Sequence, residues 1–99
     1  MKIVLLESLG ISREKLEACA RPFVEAGHTF EAYERTDDPE ELVRRGKDAQ
    51  AVILANMPLR KNVTSQWDNL KFLDIAFTGV DHVDLDILRE KGVQVSNAA

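Results

Sequence analysis

The sequence predicts an α/β fold built on a parallel five-stranded sheet, and three observations carry that prediction. Apolar runs of strand length alternate along the chain with segments of helical periodicity. The run Ile3 to Leu6 is continuous, as a central strand covered on both faces is, the apolar run Phe72 to Phe77, interrupted by Asp74, is long enough for a buried strand, and Thr29 to Tyr33 alternates like an edge strand. Helix starts and stops are punctuated by capping residues and isolated glycines.

In chain order, Ile3 to Leu6 is the first strand, and Ser12 is the expected N-cap of the first helix. Leu16, Cys19, Ala20, Phe23 and Val24 follow at helical spacing, and Gly27 ends that helix. Pro22 removes an N–H within the pattern, so a kink or break is expected near Ala20. Asp38-Pro39-Glu40-Glu41 is a strong helix start: Asp38 caps, Pro39 takes the first helical position, and Glu41 is placed to complete a capping box. The second helix is expected to run to about Lys47. Ala51 to Ala55 is the third strand; Thr64 or Ser65 is expected to cap a short helix through Trp67, with Trp67 packed against the sheet. After the strand Phe72 to Phe77, Asp84 is expected to cap a helix burying Leu85, Ile87 and Leu88, closed by Gly92 before a last strand containing Val93 and Val95. Asp74 falls inside the fourth strand and is expected at a strand end or in water, because a lone buried carboxylate is costly. Five strands alternating with four helices give the flavodoxin-like order 2-1-3-4-5 with right-handed crossovers.

Ninety-nine residues, 44% of them apolar, allow one domain with one core. A net charge of −4, with the basic residues scattered, argues against a nucleic-acid surface. The single cysteine, Cys19, provides no disulfide framework, so a reducing cytoplasm is the expected location. No apolar run approaches the ~20 residues that span a bilayer, and the apolar stretch at the N-terminus is too short for a signal peptide. A soluble chain is expected.

The chemistry is expected where the strands end. In open parallel sheets, ligands bind beyond the carboxyl ends of the strands. The strand Phe72 to Phe77 ends at Thr78-Gly79. Gly79 admits positive φ or close approach, so this is a plain chain turn or one whose Gly79 and Val80 N–H groups hold an anion such as a carboxylate. The third strand delivers Asn56-Met57-Pro58-Leu59 to the same edge. Met57 and Leu59 are read either as loop residues folded back onto the core or as a substrate lining.

The stretch from Leu70 through Gly79-Val80-Asp81-His82-Val83-Asp84, followed by Gly92-Val93-Gln94-Val95-Ser96-Asn97-Ala98, resembles the N-terminal domain of the D-isomer-specific 2-hydroxyacid dehydrogenases. The likeness extends over the whole chain in element order and is sharpest over its last thirty or so residues. It implies the same flavodoxin-like fold and a parent enzyme using NAD or NADP on a small 2-hydroxy or 2-keto acid. It also implies that Thr78, Gly79 and Val80 hold the substrate carboxylate, mainly through backbone N–H groups, with Asn56, Met57 and Leu59 on the facing loop. In that family the dinucleotide fingerprint, the catalytic arginine, the glutamate and the acid–base histidine lie downstream in a second domain, and Asn97-Ala98 marks the crossing into it. The chain is therefore expected to be a substrate-binding domain ending at the hinge, inactive alone, with no catalytic residue and no bound cofactor.

The residues agree with that division. A G-x-G-x-x-G turn is absent, since Gly10, Gly27, Gly46, Gly79 and Gly92 are isolated. His28 lies at the end remote from the cleft, and His82 is assigned a capping or surface role. His82, Asp81 and Asp84 lack a second cluster at ligand spacing, so no metal site is expected. The alternative class is a stand-alone flavodoxin-like binding or signalling module. Glu7 after the first strand and Asn56 after the third fit a phosphoacceptor receiver poorly, and Glu7-Ser8-Leu9-Gly10 is not a flavin phosphate loop. A flavodoxin-like sheet normally carries a helix after its fifth strand, and with that final helix missing one sheet face is expected to be bare. Self-association, with a homodimer through that face, is the expected consequence, either by packing two such faces together or by exchanging elements between chains.

Overall fold

The computed structural model describes residues 1–6, 13–34, 36–54, 57–75 and 82–97. Five strands, β1 (Lys2–Leu5), β2 (Thr29–Ala32), β3 (Ala51–Leu54), β4 (Phe72–Ile75) and β5 (Gln94–Asn97), alternate with α1 (Arg13–Glu25), α2 (Pro39–Gly46), α3 (Lys61–Thr64) and α4 (Leu85–Glu90). The strands form one parallel sheet in the order β2-β1-β3-β4-β5, as the alternation predicts.

Register decides which side chains share a face. Val4, Val52, Leu73 and Val95 lie level across four strands, and parallel partners point the same way. That face meets Leu42 of α2, Val63 of α3 and Leu88 of α4 in the main core cluster, together with Leu54, Ile75 and Trp67. Ile3 and Leu5 are buried outside this cluster, on the opposite face, beside β2 and the helix α1 that contacts it.

Trp67 joins α2 to the short helix α3. It is 1% exposed, and its indole N–H donates to the Val43 carbonyl at 3.2 Å, among the last four of α2, which lack intrahelical partners. Gly46 lies against the ring so closely that a Cβ there would overlap it. Packing against the sheet is thus accompanied by packing against α2. At the outer edge, Arg45 stacks 4.5 Å from the Tyr33 ring and donates to the Glu34 carbonyl at 2.8 Å, pinning α2 to the segment after β2.

Several expectations are corrected. The helix α1 passes through Pro22 without a break, because its hydrogen bonding resumes at once, with Ala26 N–H donating to the Pro22 carbonyl at 3.1 Å. The Ser12 cap and the side chains of Leu16, Cys19, Ala20 and Phe23 lie outside the described residues. Val24, expected on the buried stripe, is 54% exposed in the last turn of α1. Asp38 does cap α2, accepting from Glu40 N–H at 3.1 Å, but the reciprocal half of the box is absent. Glu41 turns to Arg44 and Arg45 instead, and the Asp38 N–H goes to Thr36 Oγ1. The short third helix begins at Lys61, before Thr64 and Ser65, which stand at its end. Gly27 and Gly92 take φ of 93° and 75°, closing α1 and α4 as expected. Asp74 is exposed and accepts from Ser96 Oγ at 3.3 Å.

Candidate functional site

The carboxyl edge of the sheet brings two connections together. Leu54 and Ile75 are level at the ends of β3 and β4, so the chain leaving each strand emerges at the same height. From β3 it passes through Met57, Pro58 and Leu59 into α3; from β4 it returns at His82, Val83 and Asp84 before α4. Leu59 and Val83 form an isolated parallel bridge. Leu59 N–H donates to the His82 carbonyl at 2.8 Å, and Asp84 N–H donates to the Leu59 carbonyl at 3.2 Å. The two loops expected to face one cleft are therefore hydrogen-bonded to each other.

Of the expected site residues, Asn56, Thr78, Gly79 and Val80 lie outside the described residues, as does Asp81. Met57 and Leu59 are described, and their side chains are 1% and 0% exposed within the main core cluster. Folding back onto the core is the reading that describes them. Both backbone polar groups of Leu59 are engaged by the bridge, so this residue fixes its loop. His82 enters the edge through its carbonyl. His28 stands at the amino end of β2, its Nδ1 3.1 Å from the Met1 amino group, at the opposite edge of the sheet.

Residue types and spacing did not reveal the role of Asp84. It occupies the N-cap position of α4 with extended backbone, φ −80° and ψ 95°, yet its side chain makes no cap hydrogen bond to that helix. The carboxylate reaches across to α3, where Oδ2 accepts from Lys61 N–H at 2.7 Å and Oδ1 from Arg60 Nη1 at 3.3 Å. The Lys61 N–H, followed by the Arg60 guanidinium, holds the Asp84 carboxyl below the usual carboxylate range. A sequence signal for this exists in Arg60, which stands at the N-cap of α3 without an acceptor side chain; the exposed N–H groups of that helix need an oxygen from elsewhere. At the other end of α3, Lys91 Nζ donates to the Ser65 carbonyl at 2.8 Å and the Thr64 carbonyl at 3.3 Å. The anion at the amino end and the cation at the carboxyl end both match the helix dipole. Beside Asp84 an open depression of about 480 Å³ is lined by Arg60, Lys61 and the segment from Val83 to Ile87.

Two chemistries are missing among the described residues. No group of three His, Cys, Asp or Glu side chains could hold a metal ion. The described glycines, Gly27, Gly46 and Gly92, all sit at helix C-terminal ends and form no phosphate-cradling strand-to-helix turn. Among the described residues no helix is long and apolar enough to cross a membrane.

Comparison with known proteins converges on this architecture. The chain is 34% identical over 96 residues to a glycerate dehydrogenase of Methylorubrum extorquens, covering 97% of this chain and 29% of that protein. It is 31% identical over 99 residues to a hydroxypyruvate reductase of Blautia hydrogenotrophica, covering 98% and 30%. The chain thus spans about three-tenths of the length of these relatives. Among solved structures, an NAD⁺-bound 3-phosphoglycerate dehydrogenase of Entamoeba histolytica shares the fold, with a TM-score of 0.86 at 23% identity over 98% of this chain and 32% of the other. An NAD-dependent formate dehydrogenase of Staphylococcus aureus in complex with NAD superposes with a TM-score of 0.79 at 25% identity, over 100% of this chain and 31% of that one. A family model described as "D-isomer specific 2-hydroxyacid dehydrogenase, catalytic domain" matches residues 3–99. The bridged edge of the sheet therefore belongs to a member of the D-isomer-specific 2-hydroxyacid dehydrogenase family, represented here by its catalytic-domain fold.

Proposed function

We propose that this chain is the substrate-holding domain of an NAD- or NADP-dependent D-2-hydroxyacid dehydrogenase and that alone it transfers no hydride. The observation that carries this reading is the Leu59–Val83 bridge at the carboxyl edge of the sheet, in a chain whose family acts on 2-hydroxy acids. The ligand is a small 2-hydroxy or 2-keto acid, with hydroxypyruvate and glycerate suggested by the names of two relatives. Its carboxylate is received by the backbone N–H groups of the Thr78-Gly79-Val80 turn, where the absent Cβ of Gly79 permits close approach. Asn56 faces that turn from the other connection, while Met57, folded onto the core, and Leu59, bridged to Val83, hold their loop in place.

The dinucleotide is held by other parts of the parent protein, a reading supported by the absence of a G-x-G-x-x-G pattern from this sequence. The parent works in the cytoplasm, consistent with a lone cysteine. We further propose that two copies associate through the sheet face carrying Phe72, which is 42% exposed beside half-buried Ala51 and Ile53.

Two assays test the reading. Incubating the purified chain with NADH and hydroxypyruvate is expected to leave the NADH absorbance unchanged, and sustained turnover would refute inactivity. Nuclear magnetic resonance of the chain with added hydroxypyruvate is expected to show saturable binding, and its absence would refute the substrate assignment.

A further inference from the structure

Three consecutive residues on one connection are bonded to two on the other. Leu59 exchanges backbone hydrogen bonds with His82 and Asp84, Arg60 pairs with the Asp84 carboxylate, and Lys61 donates its N–H to the same carboxylate at 2.7 Å. The backbone bridge is isolated, outside any named strand, so it lacks the neighbouring rungs that make a ladder cooperative. The Asp84 contacts extend it with charge-assisted bonds, which are stronger than neutral ones. Asp84 makes no cap bond to its own helix; its carboxylate is committed to the neighbouring connection.

We infer that Asp84 is a positioning residue: it sets the spacing between the connection after β3 and the connection after β4, and through it the width of the cleft that receives the acid. This rests on the substrate reading above, because the cleft is the one proposed there. Asp84 touches no substrate in this account; it acts through Leu59, Arg60 and Lys61. Lys91 supplies an internal control. It caps the far end of the same one-turn helix, its ammonium group donating to Thr64, Ser65, Trp67 and Asp68 rather than to the bridge residues, so removing it uncaps α3 without releasing Leu59.

The experiment compares site-resolved amide hydrogen exchange and hydroxypyruvate binding in the 99-residue chain and its Asp84→Ala, Asp84→Asn and Lys91→Met variants. Asp84→Ala is expected to speed exchange at Leu59 and Asp84 by about tenfold, the scale of one lost charge-assisted hydrogen bond, while Val52 and Leu73 exchange as before. Asp84→Asn should show a smaller effect, since an amide oxygen still accepts from Lys61, and this variant keeps the test open should Asp84→Ala fold poorly. Lys91→Met should leave Leu59 unchanged. Hydroxypyruvate should bind Asp84→Ala about tenfold more weakly than the unaltered chain, with Asp84→Asn between them. Unchanged exchange at Leu59 in Asp84→Ala, or equal acceleration in Lys91→Met, would overturn the inference. So would undiminished binding by Asp84→Ala. Failure of the unaltered chain to bind hydroxypyruvate would instead overturn the substrate reading, and the exchange pattern alone would then decide whether Asp84 joins the loops.

Discussion

On one face of the sheet Val4, Val52, Leu54, Leu73 and Ile75 are sealed beneath α2, α3 and α4. Across the other face, burial fades from strand to strand. Ile3 and Leu5 of β1 are buried, Ala51 and Ile53 of β3 are half-buried, and Phe72 of β4 is 42% exposed. Beyond it the surface turns polar, with Asp74 bonded to Ser96 and Gln94 exposed. The backbone is the same in both cases, so the contrast lies in what covers each face. Among the described residues, most of the buried apolar side chains belong to the closed face, and apolar burial is what stabilises it.

Trp67→Ala should break the closed face most severely. The ring is buried and its N–H is bonded, so the loss should be about 3–5 kcal/mol, the usual range for a deleted core aromatic, read from denaturant unfolding. Gly46→Ala overpacks the same spot, where a Cβ meets the indole, and should cost about 1–3 kcal/mol. Trimming the ring with Trp67→Leu should make that second change far less harmful, a non-additivity measurable in a double-mutant cycle. The open face should respond differently. Phe72→Thr keeps strand propensity and should change unfolding free energy by only about 0.5 kcal/mol, while sedimentation velocity should show weaker self-association. A loss on the scale of Trp67→Ala would mean that Phe72 is covered within the single chain.

The smallest effect concerns the rim of the closed face. Arg44, then Arg45, hydrogen-bond the Glu41 carboxylate and lower its pKa from 4.5 to about 2. A depressed carboxylate stabilises the fold above its unfolded pKa, and that contribution disappears as pH falls through the folded value. Wild type should therefore lose a small increment relative to Glu41→Gln between pH 4.5 and 2, detectable in parallel thermal melts at low salt. Because Glu41 and Arg44 are solvent-accessible, added salt should shrink the difference.

Element types and strand order were legible because they rest on periodicity and punctuation. Apolar runs marked β1, β3 and β4, although Asp74 and exposed Phe72 make β4 alternate in the fold, the alternation of Thr29 to Tyr33 marked β2 as the edge, and Asp38-Pro39 and Gly92 marked helix ends. What sequence reasoning missed lies in contacts between distant residues. The Asp84 carboxylate has two possible helix N-termini to serve, its own and that of α3 beyond Arg60, and only the three-dimensional placement selects the second. Glu41 likewise had a capping role available, but Arg44 and Arg45 one turn along outcompete the Asp38 N–H for its oxygens. For the site, the family pattern located the two connections and the bridge shows that they meet. Spacing could not settle the side chains of Met57 and Leu59, since an apolar loop residue reads the same whether it faces a ligand or the core.

The most direct test of the account is a map of amide chemical-shift changes as hydroxypyruvate is added to the 99-residue chain. Changes concentrated at the carboxyl edge, in residues 57–59 and 82–84 and at Thr78, Gly79 and Val80, are the predicted result. Changes at the amino edge around Met1 and His28, or between α2 and α3, would contradict it, as would a spectrum that does not respond.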